Sequence, residues 1–413
     1  MNSPQPGSQV HVHIAGSDRP GILAEALAAI VHHECLVVDI KQFVFNGLLN
    51  LSILLESKNP KALEDLQQSL KEYGEQAGMK VGAYPWDAEH RPEAPYKHRL
   101  VVTLLGQAIG PIALAELTRI LADLDINIIR IEQLDYETHH VLEIVIGAKM
   151  VMTNVDILTA LLHFKEHFEV DIAVQEDTLF RRNKRLIVLD ADMTFLQCEV
   201  IDELGKMAGV GERMADITGK AMRGEIDFAT ALERRVRLLK GLTLAQLEEL
   251  YRNLPLTPGA EDLVRILQHL NYKIAIVSGG FQFFIGKLKE KYRLDYGFAN
   301  PLEIRDGVVT GEVEGEVIDA LAKERILVSL AEKEGFSLQQ VVAVGDGAND
   351  IHMLARAGLG IAFNAKPIVQ QHAQASISIY NLELILYFLG ISGGELKELR
   401  EVVAKPGRYP GSA

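Results

Sequence analysis

The segment beginning at Ile14, IAGSDRPGILAEALAAIVHHECLVVDIKQF, returns in altered form at Leu104 as LLGQAIGPIALAELTRILADLDINIIRIEQL. Gly16 corresponds to Gly106, Ala24-Glu25 to Ala115-Glu116, and Ile40 and Gln42 to Ile131 and Gln133, an offset of about 90 residues that marks one structural unit made twice. Each copy reads strand, helix, strand, strand, helix, strand. In the first, alternation over Val10 to Ile14 predicts a strand and Pro20-Gly21 opens a helix through about His33. Leu36 to Phe43 and Leu49 to Leu55 pair across Asn46-Gly47, a dipeptide suited to tight hairpins. A helix over Pro60 to Tyr73 and a strand from Lys80 complete a ferredoxin-like βαββαβ unit, α+β in class, at 8–86. The second unit occupies 98–175. The polar, proline-bearing stretch Trp86 to Lys97 reads as a linker.

From about residue 180 to 413 the pattern changes to short apolar runs alternating with amphipathic helices, as in a Rossmann-like α/β sheet. Leu186 to Leu189, Lys273 to Val277 and Val341 to Val344 are the apolar runs, suited to strands covered on both faces. They lead into Asp190, Ser278 and Asp346. Ligands of open parallel sheets bind beyond the carboxyl ends of strands, so three reactive ends predict one site. Asp190-Ala191-Asp192 places two carboxylates at the first end, and Gly345-Asp346-Gly347-Ala348-Asn349-Asp350 adds more at the third. Oxygen ligands in that number suit Mg²⁺ beside a phosphate.

Composition narrows the function. Among 413 residues, 42 Lys and Arg stand against 56 Asp and Glu, for a net charge of −14, which argues against nucleic acid as a partner. Cys35 and Cys198 have no metal-ligand or redox spacing and read as reduced thiols. The N-terminus lacks the basic start and apolar run of a signal peptide, and Leu384 to Ile391 is far too short to span a membrane. A soluble cytoplasmic protein without membrane contact is expected.

Several motifs carry a resemblance. Gly16-x-Asp18-Arg19-Pro20-Gly21-Ile22 resembles the start of an ACT domain, a fold that often binds amino acids at a dimer interface. Asp18, Arg19 and Gly21 are then candidate contacts for L-serine or another amino-acid effector, held by backbone N–H groups at the helix start. Alternatively, Asp18 caps the helix and Gly21 relieves the turn. The second copy has lost the Asp-Arg pair and keeps Gly110-Pro111, a degenerate ACT unit. His32-His33 point about 100° apart on a helix, which disfavours chelation of one ion.

The rear segment resembles the haloacid-dehalogenase (HAD) superfamily and, within it, the phosphoserine phosphatases. The matching stretches are Asp190-x-Asp192-x-Thr194, Glu199-x-Ile201-Asp202-Glu203, Ala221-Met222-Arg223-Gly224, Phe228, Leu238-Leu239-Lys240-Gly241, Ser278-Gly279-Gly280-Phe281 and Gly345-Asp346-Gly347-Ala348-Asn349-Asp350. The resemblance implies that Asp190 attacks phosphorus to form an aspartyl phosphate. Asp192 would protonate the leaving seryl oxygen and then deprotonate water. Mg²⁺ would be held by Asp190, the Asp192 carbonyl and Asp346, with Asp350 in support. Asn349 would sit near the phosphate, Ser278 and Gly279 would donate to it, and Lys323 would neutralise charge. The helical stretch at about 201–262 would be a cap closing over the site.

Phosphoserine carries an ammonium and a carboxylate, so a selective pocket wants an anion and a guanidinium; Glu199 and Arg235 suit these roles. The resemblance is what selects Arg235 from Glu233-Arg234-Arg235-Val236-Arg237, which alone reads as a solvated helix face. Met222 and Phe228 would add apolar closure. Met193 stands where these enzymes usually carry Ser, and activity with an altered rate is expected.

The expected function is Mg²⁺-dependent hydrolysis of O-phospho-L-serine in serine biosynthesis by an ACT-regulated homodimer. The alternatives are a HAD phosphatase or phosphotransferase for another small phosphomonoester, and a non-catalytic amino-acid sensor. Taken singly, Asp192 or Ser278 could cap a helix and Lys323 could be a solvated residue; only their joint placement makes a site. Glu303 to Val313 reads as a hairpin beside the sheet, and Leu382 to Val403 as an amphipathic helix broken at Gly393-Gly394, its stripe facing core or a dimer partner.

Overall fold

The computed structural model describes residues 8–86, 96 and 98–404. The chain divides into two compact units, parting between Pro95 and Tyr96. Most of the expected linker lies outside the described residues.

In the first unit the strands are β1 (Ser8–Ser17), β2 (Leu36–Phe45), β3 (Leu48–Ser57) and β4 (Lys80–Trp86), with helices α1 (Ile22–Ile30) and α2 (Pro60–Ala77). The order is β2-β3-β1-β4, antiparallel throughout. Asn46 and Gly47 have φ of 49° and 76°, the left-handed pair that matches a two-residue hairpin to strand twist. Ile14, Leu51, Ile53 and Leu55 alternate inward against Ile22, Ala26, Leu66 and Leu70. Gly21, not Asp18, occupies the cap of α1, with φ 95° and no side-chain bond, so the capping alternative for Asp18 is corrected. Arg19 grips Glu25 through two bonds of 2.7 and 2.6 Å. His33 bonds Ser69 at 2.9 Å while its neighbour His32 is exposed.

The second repeat has β5 (His98–Gly106), α3 (Pro111–Asp123), β6 (Ile126–Asp135), β7 (His140–Ala148), α4 (Asn154–Ala160), α5 (Leu162–Phe168) and β8 (Asp171–Glu176). Its order, β6-β7-β5-β8, reproduces that of the first. The glycine pair kept by both copies has a steric cause. A Cβ at Gly16 would lie 2.4 Å from Met79 Sδ, and one at Gly106 would lie 3.0 Å from Val170, each just ahead of its unit's last strand.

Behind it follow β9 (Leu186–Leu189), α6 (Val200–Met207), α7 (Gly211–Met222), α8 (Phe228–Leu238), α9 (Leu244–Asn253), α10 (Ala260–His269), β10 (Lys273–Phe281), α11 (Gln282–Tyr292), β11 (Tyr296–Asn300), β12 (Leu302–Arg305) and β13 (Val308–Val313). The chain continues through α12 (Ala320–Glu334), β14 (Val341–Gly345), α13 (Ile351–Arg356), β15 (Leu359–Phe363), α14 (Pro367–Gln370), β16 (Ala375–Ile377), α15 (Ile385–Phe388) and α16 (Gly393–Val403). Strands β11-β10-β9-β14-β15-β16 run parallel. Every residue of β9 and β14 is buried, as helices on both faces require.

The second repeat is joined to this sheet. Strand β16 meets β8 antiparallel at Ala375 and Ala173, making ten strands in all. Asp171 accepts from the N–H and hydroxyl of Ser378, and Gln175 donates to the Phe388 carbonyl at 2.8 Å.

Two expectations are corrected. The hairpin β12–β13 packs on the cap rather than beside the sheet, with Gly241 and Val309 N–H groups bonded to the Val309 and Leu242 carbonyls. At the end of the chain, Leu382, Leu384, Ile385, Leu386 and Phe388 join the core. The break falls at Gly390, with φ 84°, whereas Gly393 and Gly394 open α16 behind the Ser392 cap. No helix among the described residues is long and apolar enough to cross a membrane.

Candidate active site

Because β10, β9 and β14 are adjacent and parallel, their carboxyl ends bring Ser278, Asp190 and Asp346 together. The Asp190 N–H is fixed by the Val344 carbonyl at 2.9 Å. After it, Ala191 to Phe195 make one wide turn in which Met193 adopts a left-handed φ of 56°. This turn aims Asp192 back over the strand end. Asp192 Oδ1 accepts the N–H of Val200, the first residue of α6, at 3.0 Å, and Oδ2 faces Ser278 Oγ at 3.4 Å. Asp192 thus does anchor a helix start, eight residues ahead in the chain, and still presents its second oxygen to the pocket.

Lys323, on the first turn of α12, is fully buried and donates to Asp190 Oδ1 and Asp350 Oδ1, each at 2.7 Å. The solvated alternative for this lysine is overturned. The other oxygen of Asp350 accepts the Gly347 N–H at 3.0 Å, and Thr194 donates to Asp346 Oδ1 at 3.2 Å. Ser278 Oγ accepts the Gly280 N–H at 2.8 Å, folding the strand end into a small loop, so the serine is not a helix cap. Asn300 clamps that loop, donating to the Gly279 carbonyl at 2.7 Å.

Charge is crowded here. Burial, then repulsion from Asp350, hold the Asp190 carboxyl well above the ordinary range despite Lys323. Burial likewise raises Asp192 against the bond from Val200. Burial and Asp350 lift Asp346 to about 6. Burial alone would lower Lys323, but Asp190 and Asp350 outweigh it and keep the ammonium charged. Such a cluster calls for further positive charge. Oxygens of Asp190, Asp346 and Asp350 lie within 4.8 Å of one another, an all-oxygen donor set that fits a hard divalent cation.

The cap completes a cavity of about 80 Å³ lined by Asp190, Asp192, Glu199, Phe228, Arg235, Gly279, Asp346 and Asn349. On α8, Arg235 turns inward while Glu233, Arg234 and Arg237 are exposed. Glu199 keeps exposed area at the opening, yet crowding by protein atoms, then Asp192 and Asp346, push its carboxyl up to about 7. Phe228 closes against the loop, since a Cβ at Gly279 would meet its ring at 3.1 Å. Met222 ends α7, but its side chain lies outside those described.

Leu232 and Gly280 also line the cavity and were missed in the sequence. The spacing Phe228, Leu232, Arg235 puts all three on one helix face and was the available signal for Leu232. A side chain at Gly280 would press on Asp192 Oδ2 at 3.0 Å.

Comparison with known proteins matches two parts of the chain to families. The family model of haloacid dehalogenase-like hydrolases matches residues 187–355, and that of the ACT domain matches residues 8–84. A phosphoserine phosphatase of Streptomyces coelicolor is 38% identical over 97% of this chain and 96% of its own length. One from Mycobacterium tuberculosis is 36% identical, covering 94% of each. Among solved structures, a HAD family hydrolase of Salmonella enterica serovar Typhi aligns with TM-score 0.62 at 28% identity, covering 70% of this chain and 98% of its own. A probable phosphoserine phosphatase of Vibrio cholerae aligns with TM-score 0.56 at 34% identity, over 73% and 89%.

Proposed function

Since the chain belongs to the phosphoserine phosphatase family, we propose that it hydrolyses O-phospho-L-serine to L-serine and phosphate through a phosphorylated Asp190, with Mg²⁺ as cofactor. The observation that carries this reading is the convergence of Asp190, Asp192, Ser278, Lys323 and Asp346 at one sheet end, with Glu199 just ahead of α6 and Arg235 on the cap above.

An Asp190 oxygen attacks phosphorus, the bond to the seryl oxygen breaks, and that oxygen takes a proton from Asp192. The raised affinity of Asp192 for a proton supports this acid role. Water, giving its proton back to Asp192, then attacks the acyl phosphate, frees phosphate and restores Asp190. Lys323 offsets charge at the attacking carboxylate, and Ser278, the Gly279 N–H and Asn349 hold phosphoryl oxygens. Asp190, the Asp192 carbonyl and Asp346 would hold the cation, with Asp350 in support. When bound, Mg²⁺ supplies positive charge to the phosphoryl oxygens.

Arg235 suits the substrate carboxylate and Glu199 its ammonium, with Phe228 closing the pocket. The Asp18-Arg19-Gly21 turn of the first repeat is a candidate amino-acid effector site, L-serine being the chemistry expected, and the second repeat is read as a degenerate ACT unit. A homodimer is supported by β2. All ten of its residues are exposed at the sheet edge, with Phe43 at 62% and Phe45 at 66%, and such an edge invites pairing.

A steady-state screen of phosphoserine, phosphothreonine and sugar phosphates, with Mg²⁺ or EDTA and with or without serine, tests the reading. Phosphoserine should lead by a wide margin and EDTA should stop turnover. A sugar phosphate preferred over phosphoserine would overturn the substrate assignment.

A further inference from the structure

At the opposite end of the parallel sheet, a polar cavity of about 190 Å³ lies between the second repeat and the rear sheet. Gln175 and Arg181 line it from the β8 side. Lys184 and Gln339, just ahead of β9 and β14, line it from the other, and Glu176 and Thr178 are on its exposed rim. Arg181 and Lys184 are each 5% exposed and Gln175 is 3% exposed.

These buried groups are incompletely matched. Lys184 Nζ donates to the Gln339 carbonyl at 2.6 Å and has no carboxylate within ion-pair distance among the described residues. Arg181 bonds Glu143 through Nη2, but its Nε has no partner. Gln175 is held by donating from Nε2 to the Phe388 carbonyl at 2.8 Å. The buried acid Glu143 is shared among Arg130, Arg181 and Arg182, so its charge is already overcommitted. Burial, then repulsion from Arg181, push the Lys184 ammonium down to about 8 although Glu176 draws it up. Buried charges are ordinarily paired, and buried N–H groups are ordinarily satisfied.

We propose that this cavity binds a small oxyanion, a carboxylate or phosphate group, with Arg181 and Lys184 as its charge partners. The cavity volume admits a small molecule rather than a cofactor. The ligand would tie β8 of the second repeat to the amino ends of β9 and β14, and would strengthen that junction by mass action.

Calorimetry on the full chain in EDTA tests this, with inorganic phosphate and acetate as separate probes against sodium chloride of equal ionic strength. At least one probe should bind the wild type. Lys184→Gln should weaken it about tenfold or more, the loss of one charge-assisted bond. Thr178→Trp, filling the rim, should abolish it. Binding of phosphate alone identifies a tetrahedral ion as the ligand class, and binding of acetate alone a carboxylate. Phosphoserine hydrolysis, assayed separately with Mg²⁺, should be unchanged in both variants, which also confirms that they fold. Failure of both probes to bind, or wild-type affinity persisting in both variants, would overturn the proposal.

Discussion

Lys323 has no exposed surface and donates to Asp190 at 2.7 Å and to Asp350 at 2.7 Å, so one buried ammonium holds two carboxylates drawn from different strand ends. Asp190 directly follows β9, Asp350 follows β14, and α12 supplies the cation. Burying three charges is tolerable only because each is paired. The same pairing orients Asp190 before any substrate arrives.

Replacing Lys323 with Met leaves two buried carboxylates without their counter-charge. Removing one member of a buried ion pair costs about 3–5 kcal/mol, measurable by urea unfolding in EDTA. Turnover of phosphoserine should fall by roughly a hundredfold or more, because the developing phosphoryl charge loses a positioned cation. Turnover at the wild-type rate would show that Lys323 serves stability alone.

Arg235→Lys keeps the charge and loses the planar fork. KM for phosphoserine should rise about tenfold or more, while a phosphomonoester without a carboxylate, such as phosphoethanolamine, should be affected far less. Equal losses on both substrates would remove Arg235 from carboxylate recognition.

Glu199, pushed up to about 7, sets a pH dependence. Its carboxylate form grows as pH rises through that value, and this is the form that attracts an ammonium. The ratio kcat/KM for phosphoserine should therefore climb between about pH 6 and pH 8. Glu199→Gln should lower it and flatten the part of the climb that does not come from the substrate's own phosphate. An unaltered profile in Glu199→Gln would contradict the assignment.

If β2 pairs with a second copy, Phe43→Glu together with Phe45→Glu should convert a dimer to a monomer by light scattering. Both side chains are exposed, so the first unit should stay folded. A dimer that survives the double substitution uses another surface.

Much of this arrangement was legible in the chain itself. Apolar runs such as Leu186 to Leu189, ending in Asp190, are the direct mark of parallel strands buried on both faces, with reactive groups at the rim. The repeat was legible because each copy must solve the same close approach, at Gly16 and at Gly106. Continuity between the second repeat and the rear sheet was not legible. It rests on the pairing of Ala173 with Ala375, partners far apart in sequence whose meeting leaves no local periodicity. The hairpin over Glu303 to Val313 is legible in the sequence, yet its partner is the cap, fixed by bonds from Gly241 and Val309 that no turn motif encodes. Arg235 illustrates a further boundary. Composition makes its helix a charged surface; the family resemblance singles Arg235 out, and the fold half-buries it while Glu233, Arg234 and Arg237 stay exposed.

The covalent step admits the most direct measurement. Acid quenching during turnover of phosphoserine with Mg²⁺, followed by borohydride reduction, converts an aspartyl phosphate to homoserine, which peptide mass spectrometry locates. The account predicts homoserine at position 190 in the wild type and neither label nor turnover in Asp190→Asn. Sustained hydrolysis by Asp190→Asn, or a label at another carboxylate, would contradict it.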